Sequence, residues 1–205
     1  MMIRIEQAAG VWTLTLTRSD KANSLTASML GQLCQAVDAA TQAQARALIL
    51  TGEGRVFSAG ADLDEARAGL ATSPLWEELS GRIARADSLT IAALNGTLAG
   101  GAFGMALACD LRLCVPGAKF FYPVMKLGFL PQPSDPARLS ALVGPARAKM
   151  ILMAGARIDA DEAHKWGLVD RIVPADELIA QAMALTTDVQ AASTSHVAAI
   201  KRLVP

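Results

Sequence analysis

The order of apolar and polar positions along the chain predicts short strands that alternate with helices. Apolar and polar residues alternate over residues 3–7 and 11–17, on either side of Ala9-Gly10, a pattern typical of a β-hairpin. Residues 27–43 carry apolar side chains at helical spacing, behind Thr26 as a candidate N-cap. Further apolar strand-like segments are followed by helical ones, and this order predicts a layered α/β fold. The other predicted strands are residues 45–51, 90–94, 110–115 and 119–122, and the other predicted helices are residues 62–70, 75–86, 101–107, 145–153, 160–166, 175–187 and 196–203, with one more after Pro136.

Two segments of small residues stand between a predicted strand and a predicted helix. The first is residues 55–65, which read RVFSAGADLDE, and the second is residues 95–110, which read NGTLAGGAFGMALACD. Small side chains leave backbone N–H groups uncovered, and N–H groups at a helix start have no partner within the helix. Two such groups directed at one point would form an oxyanion hole, which stabilises a developing carbonyl anion. These segments therefore carry the candidate chemistry of the chain.

In order and spacing, these segments resemble two motifs of the enoyl-CoA hydratase/isomerase (crotonase) superfamily. The first is similar to the family's F-x-x-G-A-D-L-x-E pattern, and the second to N-G-x-x-x-G-G followed by C-D. Residues 20–25 resemble the family's early loop along coenzyme A, residues 126–131 its L-G-x-x-P turn, and residues 163–170 its A-x-x-x-G-L-V stretch.

The resemblance implies the family's α/β fold, a crotonase-like spiral of ββα units. We expect a core domain over residues 1–190 and a shortened C-terminal helical region over residues 191–205, where relatives continue into a lid and trimer contacts. The resemblance also implies a homotrimer or a dimer of trimers, in which a neighbouring subunit could complete the cap over the acyl group.

A binding site for an acyl-CoA thioester is the functional consequence of this resemblance. The oxyanion N–H groups would belong to Ala61 and Gly101, which would polarise the thioester carbonyl and hold the enolate. The residues expected beside the coenzyme A or the acyl group are Ala22, Asn23, Ser24, Ala59, Gly60, Asp62, Leu63, Gly104, Val124 and Gln132.

Two positions depart from the family's hydratases, which carry a catalytic glutamate at each. Gly104 stands three residues after Gly101, and Val124 follows Pro123, so neither position has a side chain that can move a proton. Classical hydration requires an acid–base pair around one water, so we expect crotonyl-CoA hydration to be very weak. Gly104 either enlarges the acyl pocket or only allows close helix packing, and the sequence leaves both interpretations open.

A replacement acid or base would have to come from the polar residues near these two positions. Asp135 is the carboxylate that the sequence brings closest to the expected chemistry, and it is the candidate catalytic residue. Ser134 or Asp135 before Pro136 is also a good N-cap, which is the interpretation we favour. Tyr122 and Lys126 lie near the second lost glutamate, with strand core and surface as the alternatives. Glu77 and Glu78 are interpreted as a solvated helix face, Asp62 as a helix cap, and His164 and His196 as residues outside the site.

Composition and charge limit the classes of function. The chain of 205 residues carries 19 basic and 19 acidic side chains, so its formal charge is zero and a nucleic-acid partner is not expected. Three cysteines without ligand spacing and two distant histidines predict reduced thiols, a cytoplasmic protein and no metal site. No N-terminal signal is recognised, and the uncharged run over residues 91–109 is interpreted as a strand and a buried helix, without membrane insertion.

Two functions are consistent with the sequence. The first is a lyase or isomerase of the hydratase/isomerase type that acts on an acyl-CoA with non-standard catalytic residues. It would need no cofactor beyond the coenzyme A of its substrate. The alternative is a catalytically degenerate homologue that binds acyl-CoA or serves as a structural oligomer. The two differ in turnover, since an enzyme consumes an acyl-CoA that a binding protein only retains.

Overall fold

Two β-sheets form the centre of the fold in a computed structural model that describes residues 2–204. Met1, the first residue of the predicted core domain, and Pro205, the last residue of the predicted C-terminal region, lie outside the described residues. The strands are β1 Ile3–Ala8, β2 Val11–Leu16, β3 Ala47–Gly52, β4 Val56–Ser58, β5 Leu89–Leu94, β6 Thr97–Ala99, β7 Leu111–Cys114, β8 Lys119–Phe121, β9 Ile158–Asp159 and β10 Arg171–Ile172.

The larger sheet has the strand order β1-β2-β3-β5-β7-β10, and the smaller one has the order β4-β6-β8-β9. β1 and β2 pair antiparallel, which confirms the predicted hairpin, and the other neighbours in the larger sheet are parallel. In the smaller sheet β4, β6 and β8 are parallel, and β9 is antiparallel to β8.

From β3 to β8, consecutive strands alternate between the two sheets. β3 lies in the larger sheet and β4 in the smaller one, and β5 with β6 and β7 with β8 repeat this step. Each pair is followed by helical structure, so the chain winds as a spiral of ββα units, as predicted. Because β4, β6 and β8 are parallel neighbours, the segments that follow them meet at one edge of the smaller sheet.

Most predicted helices form, with some changes at their ends. The side chain of Thr26 accepts a hydrogen bond from the Met29 N–H and caps the first helix, as predicted. The segment predicted as a helix over residues 101–107 begins with a 3₁₀ turn, Gly100–Ala102. The helices are α1 Ala27–Gln42, α2 Leu63–Arg67, α3 Leu75–Arg85, α4 Phe103–Leu107, α5 Val124–Leu127, α6 Asp135–Val143, α7 Pro145–Leu152, α8 Ala160–Trp166, α9 Leu178–Ala184, α10 Thr187–Ala191 and α11 Thr194–Leu203.

The single helix predicted over residues 175–187 is wrong, because α9 and α10 divide this part of the chain. The hydroxyl of Thr186 donates to the Met183 carbonyl at 2.7 Å, and that of Thr187 donates to the Ala184 carbonyl at 2.9 Å. Such bonds from side chains to the preceding turn compete with the regular helical pattern. Both bonds lie at the interruption between the two helices.

The last helix packs back onto the body of the protein. Val197 and Ala198 of α11 are buried, and Lys201 Nζ lies 2.9 Å from the Asp110 carboxylate. The predicted boundary at residue 190 stays a prediction. No helix within residues 2–204 combines the length and the apolar character that a membrane crossing requires.

All three cysteines are free and buried. Burial raises the pKa of Cys109 and that of Cys114 to about 12. Their thiols are therefore protonated at neutral pH, and the expectation of reduced, buried thiols is confirmed.

Candidate active site

The candidate active site lies where three parallel strands of the smaller sheet end. Residues 59–61 follow β4, Gly100 and Gly101 follow β6, and Tyr122 follows β8. These three segments border one cavity of about 140 Å³. Its wall is mostly apolar and is formed by Ala59, Ala61, Leu63, Ala66, Ala71, Trp76, Gly100, Gly101, Tyr122, Pro123, Val124, Leu127, Phe129, Leu130 and Gln132.

The two small-residue turns at the head of this cavity are in direct contact. Gly60 and Gly100 both have positive φ angles, 91° and 57°, which residues with a side chain rarely adopt. A Cβ atom on Gly60 would lie 2.9 Å from the Ala99 carbonyl oxygen and 3.5 Å from the Gly101 nitrogen. A side chain at Gly60 would therefore push the two turns apart.

Ala61 and Gly101, the predicted oxyanion residues, border the cavity from the two turns. The Leu25 N–H donates to the Gly60 carbonyl at 2.7 Å, and the Leu25 carbonyl accepts from the Asp62 N–H at 2.9 Å. The Gly60 carbonyl and the Ala61 N–H belong to one trans peptide group and point in opposite directions, so the Ala61 N–H is directed away from Leu25. The Gly101 N–H belongs to the first turn of a 3₁₀ helix, so it has no partner within that helix. Both residues line the cavity, and their role as oxyanion donors stays a prediction that this geometry permits.

The early loop lies behind the first turn and is not part of the cavity wall. The Ala22 carbonyl accepts from the Ala59 N–H at 3.0 Å. Asn23 is fully buried, and its side-chain amide donates to the Val56 carbonyl at 2.7 Å. These contacts fix the position of the turn that carries Ala61. A contact between this loop and coenzyme A stays a prediction.

Arg18 connects this loop to the first turn. Its guanidinium donates to the Ser24 carbonyl at 3.0 Å and to the Asp62 carboxylate at 2.8 Å. Asp62 also accepts from the N–H groups of Asp64 and Glu65, so it caps α2, as predicted. These hydrogen bonds, chiefly the one from Arg18, hold the pKa of Asp62 below its usual value.

Trp76, which the sequence motifs did not point to, forms the wall beside Gly101. Its indole N–H donates to the Leu70 carbonyl at 2.7 Å, and the ring is buried. A Cβ atom on Gly101 would lie 3.2 Å from that ring. The missing side chain at Gly101 thus lets the indole pack against the backbone. A tryptophan on the apolar face of the helix after the first turn is the signal that could have identified it.

Gly104 does not enlarge the cavity, because Asp135 fills the space beside it. A Cβ atom on Gly104 would lie 3.1 Å from Asp135 Oδ1 and 3.6 Å from the Ser80 Cβ. Of the two interpretations that the sequence left open, the structure shows close packing. Val124 lines the cavity and is the first residue of α5.

Asp135 is fully buried, and its carboxylate faces Tyr122. The tyrosine hydroxyl donates to Asp135 Oδ2 at 2.9 Å, whereas Oδ1 has no hydrogen-bond partner. Burial raises the pKa of Asp135 to about 7, against the opposing effects of the Tyr122 hydrogen bond and the Arg138 charge. The prediction that Ser134 or Asp135 caps α6 is wrong, because neither side chain makes a capping hydrogen bond. Ser134 instead bonds to the Glu77 carboxylate through its N–H, at 3.1 Å, and through its hydroxyl.

The remaining polar candidates lie outside the cavity wall. Glu77 is not a solvated side chain as predicted, since it joins α3 to the start of α6, whereas Glu78 is exposed. Lys126 and His196 are exposed, and His164 Nδ1 lies 3.1 Å from the Val169 carbonyl. Within residues 2–204 there is no cluster of histidine, cysteine or acidic side chains that could hold a metal ion.

A ββα spiral with a cavity at the ends of its inner parallel strands is the architecture of the crotonase class of proteins. Residues 6–204 match the family model described as enoyl-CoA hydratase/isomerase. The chain belongs to the enoyl-CoA hydratase/isomerase family.

Similar proteins include both hydratases and dehalogenases of coenzyme A thioesters. The chain is 36% identical over 180 residues to 4-chlorobenzoyl coenzyme A dehalogenase-2 of an Arthrobacter species, an alignment that covers 83% of this chain and 65% of the dehalogenase. It is 33% identical over 207 residues to a probable enoyl-CoA hydratase of Mycobacterium bovis, which covers 98% of this chain and 80% of the relative. The crystal structure of an enoyl-CoA hydratase from Bacillus anthracis superimposes with a TM-score of 0.91 at 31% identity, over 98% of this chain and 81% of that chain.

Proposed function

We propose that this protein binds an acyl-CoA thioester and stabilises the enolate of its acyl group with the N–H groups of Ala61 and Gly101. The observation that carries this proposal is the contact between the two turns at the head of one cavity. Gly60 packs directly against the turn that contains Gly101, and Ala61 and Gly101 border the same space. The names of two relatives refer to coenzyme A thioesters, which supports this choice of ligand.

The cavity limits the size of the acyl group. Its volume of about 140 Å³ is close to that of an engineered apolar cavity of about 150 Å³ that accepts benzene. A short chain or a single aromatic ring would therefore fill it. Leu63, Leu127 and Leu130 line the cavity and are 73%, 58% and 87% exposed, so they would contact the part of the ligand that leads out to solvent.

The proposed reaction passes through an enolate, as isomerisation, decarboxylation and addition to an unsaturated thioester all do. Gly104 and Val124 occupy the positions where the family's hydratases carry glutamates, so direct acid–base groups are missing there. Crotonyl-CoA hydration is expected to be at least about 10²-fold slower than in a two-glutamate relative measured in parallel. Hydration at the relative's rate would contradict this part of the proposal.

Calorimetric titration with coenzyme A, acetyl-CoA and crotonyl-CoA tests the proposed ligand, and mass spectrometry of each sample then detects product. The thioesters should bind more tightly than coenzyme A, because only they present a carbonyl to the two N–H groups. Equal affinity for all three would overturn the oxyanion assignment. Product would establish an enzyme, whereas tighter thioester binding without product would favour the catalytically degenerate binding protein.

A pair of variants at Gly101 isolates the contribution of one N–H group. Gly101→Pro removes the N–H in the first turn of a helix, where proline is tolerated, and Gly101→Ala keeps it while adding a Cβ 3.2 Å from Trp76. Gly31→Ala is the matched control, since a Cβ there would meet nothing within 4 Å. Loss of one oxyanion donor costs about 2.7–4 kcal/mol in the transition state, so turnover should fall about 10²–10³-fold from the alanine to the proline variant. If no thioester is turned over, the preference for thioester over coenzyme A should be lost in the proline variant alone.

The assembly belongs to this proposal as well. We propose that it forms a homotrimer, or a dimer of trimers, as the family resemblance implies. We also propose that it needs no cofactor beyond the coenzyme A of its ligand. Light scattering of the purified protein measures the mass of the assembly. A monomer at all concentrations would contradict the trimer and would leave the binding proposal to the titrations.

A further inference from the structure

Tyr122 is the one residue lining the cavity, in the part of the chain that the structure describes, whose side chain titrates. The rest of the wall is apolar, glycine, or the amide of Gln132. Tyr122 is therefore the side chain of this wall that can exchange a proton with a ligand. The neighbours of its hydroxyl decide what the tyrosine can do.

The hydroxyl of Tyr122 is fixed in place with one acceptor position left. It donates its proton to Asp135 Oδ2 at 2.9 Å and accepts from the Gln132 N–H at 3.4 Å. A hydroxyl has one donor and two acceptor positions, so these two bonds leave one lone pair of Oη without a protein partner. The ring stacks on Phe103, with 5.3 Å between ring centroids and 25° between the planes, which holds its orientation.

Asp135 is suited to receive a proton from this hydroxyl. It is fully buried, and its second oxygen, Oδ1, has no hydrogen-bond partner. The charged or titratable groups that face it are Tyr122, Arg138 on its own helix and Glu77 on α3, while Gly104 of α4 presents no side chain. Burial raises the pKa of Asp135 to about 7, so it can gain or lose a proton close to neutral pH. Burial also raises the pKa of Tyr122, so the tyrosine gives up its own proton only as it receives another.

We propose that Tyr122 relays a proton between the bound acyl group and Asp135. The Cα–H bond of the thioester breaks, its proton binds the free lone pair of Tyr122 Oη, and the tyrosine proton passes to Asp135 Oδ2. The electron pair of the C–H bond becomes the enolate, so one negative charge moves from Asp135 to the oxyanion hole. The reverse steps return the proton to carbon. Tyr122 is then the catalytic residue and Asp135 a positioning residue and proton store.

The inference rests on the proposed function, so its test measures binding and proton transfer separately. Acetyl-CoA and butyryl-CoA are incubated with the protein in D₂O, and mass spectrometry follows the deuterium that enters the acyl group. Titration calorimetry with the same thioesters reports binding. We expect exchange by the wild type, and a loss of about 10²–10⁴-fold in Tyr122→Phe and Asp135→Asn with affinities within about threefold. Gly31→Ala, far from the cavity in sequence and on α1, should exchange like the wild type.

A pH profile separates proton storage from a purely structural role of Asp135. Wild-type exchange should rise with pH through the titration of Asp135, near pH 7, because the ionised carboxylate is the acceptor. In Asp135→Asn the rate should be low and without that rise. An Asp135→Asn variant whose exchange rate still rises near pH 7 would overturn the relay. So would a Tyr122→Phe variant that exchanges like the wild type. Thioester binding without any wild-type exchange would overturn it too, whereas absence of binding would overturn the proposed function itself.

Discussion

Replacing Asp135 by asparagine should remove a large pH dependence of the protein's stability. Asparagine keeps the shape of the side chain and can still accept the Tyr122 hydrogen bond, but it does not titrate. Asp135 is fully buried, and its pKa is about 7 in the folded protein against an ordinary value of 3.8. The unfolded chain therefore loses this proton at a lower pH than the folded chain does, and stability falls as the pH rises between these two values.

The size of the effect follows from the separation of the two pKa values. One pH unit of separation corresponds to about 1.4 kcal/mol, so a separation of about three units costs about 4 kcal/mol once the pH is above both values. Between pH 5 and pH 8 the loss from this one carboxyl is about 2–3 kcal/mol. That is a large share of the total stability of about 5–15 kcal/mol of a typical protein.

Urea unfolding of the wild type and Asp135→Asn at pH 5, 6, 7 and 8 measures this loss. The difference in free energy of unfolding between the two proteins is the relevant quantity, because titrating groups that do not face Asp135 contribute about equally to both. We expect it to move in favour of the variant by about 2–3 kcal/mol across this range. Tyr122→Phe is the companion variant. It removes a hydrogen bond that lowers the pKa of Asp135, so the loss of stability should extend to higher pH.

A constant difference between wild type and Asp135→Asn from pH 5 to pH 8 would refute this reasoning. It would mean that the folded protein ionises Asp135 as readily as the unfolded chain does. The carboxyl would then be a permanent acceptor of the Tyr122 hydrogen bond, and exchange would show no rise near pH 7. The two measurements therefore check the same carboxyl by independent means.

Three further substitutions test the packing around the cavity. Gly104→Ala gains about 0.5–1 kcal/mol of helix preference but presses a Cβ to 3.1 Å from Asp135, so we expect net destabilisation in urea by about 1 kcal/mol, reversed to a gain in the background Asp135→Ala. Gly60→Ala requires a φ of 91° and places a Cβ 2.9 Å from a backbone oxygen, so its melting temperature should fall by at least about 2–4 °C. Arg18→Ala removes the guanidinium that lowers the pKa of Asp62. A lowered pKa stabilises the folded protein at pH values above the ordinary 3.8, and this contribution is lost on acidification. The stability advantage of the wild type over Arg18→Ala should therefore shrink as the pH falls through the acid range, as unfolding followed by circular dichroism would show.

Local patterns in the sequence predicted those parts of the fold that depend on local interactions. Alternation gave the hairpin of β1 and β2, and helical spacing behind Thr26 gave α1 with its cap. The cap at Asp62 was also predictable, because its hydrogen bonds reach N–H groups only two and three residues ahead. In each case the partners are close in sequence, so one segment contains the whole interaction.

The same local rules were wrong where the partner is distant along the chain. Ser134 and Asp135 satisfy the sequence pattern of an N-cap, yet Ser134 bonds to Glu77, 57 residues away, and Asp135 to Tyr122, 13 residues away. These two long-range bonds form in place of the local cap. The Ser134 and Asp135 side chains face α3 and α4, where their partners or neighbours lie. Neither the burial of Asp135 nor the packing of Trp76 on Gly101 could be read from one segment alone.

Gly104 and Asp135 are two parts of one arrangement. A side chain at residue 104 would begin 3.1 Å from the Asp135 carboxyl, so the two positions cannot both carry a large group in this packing. Residue 104 carries no side chain, and the Asp135 carboxylate from α6 occupies the adjoining space. It borders Tyr122, which lines the cavity, and does not line the cavity itself. Comparing residues 104 and 124 with a motif therefore finds no acid–base side chain at either position, although a buried carboxyl lies behind Tyr122. It follows that a glutamate introduced at Gly104 alone would set its carboxyl against that of Asp135, so this substitution requires Asp135 to be replaced as well.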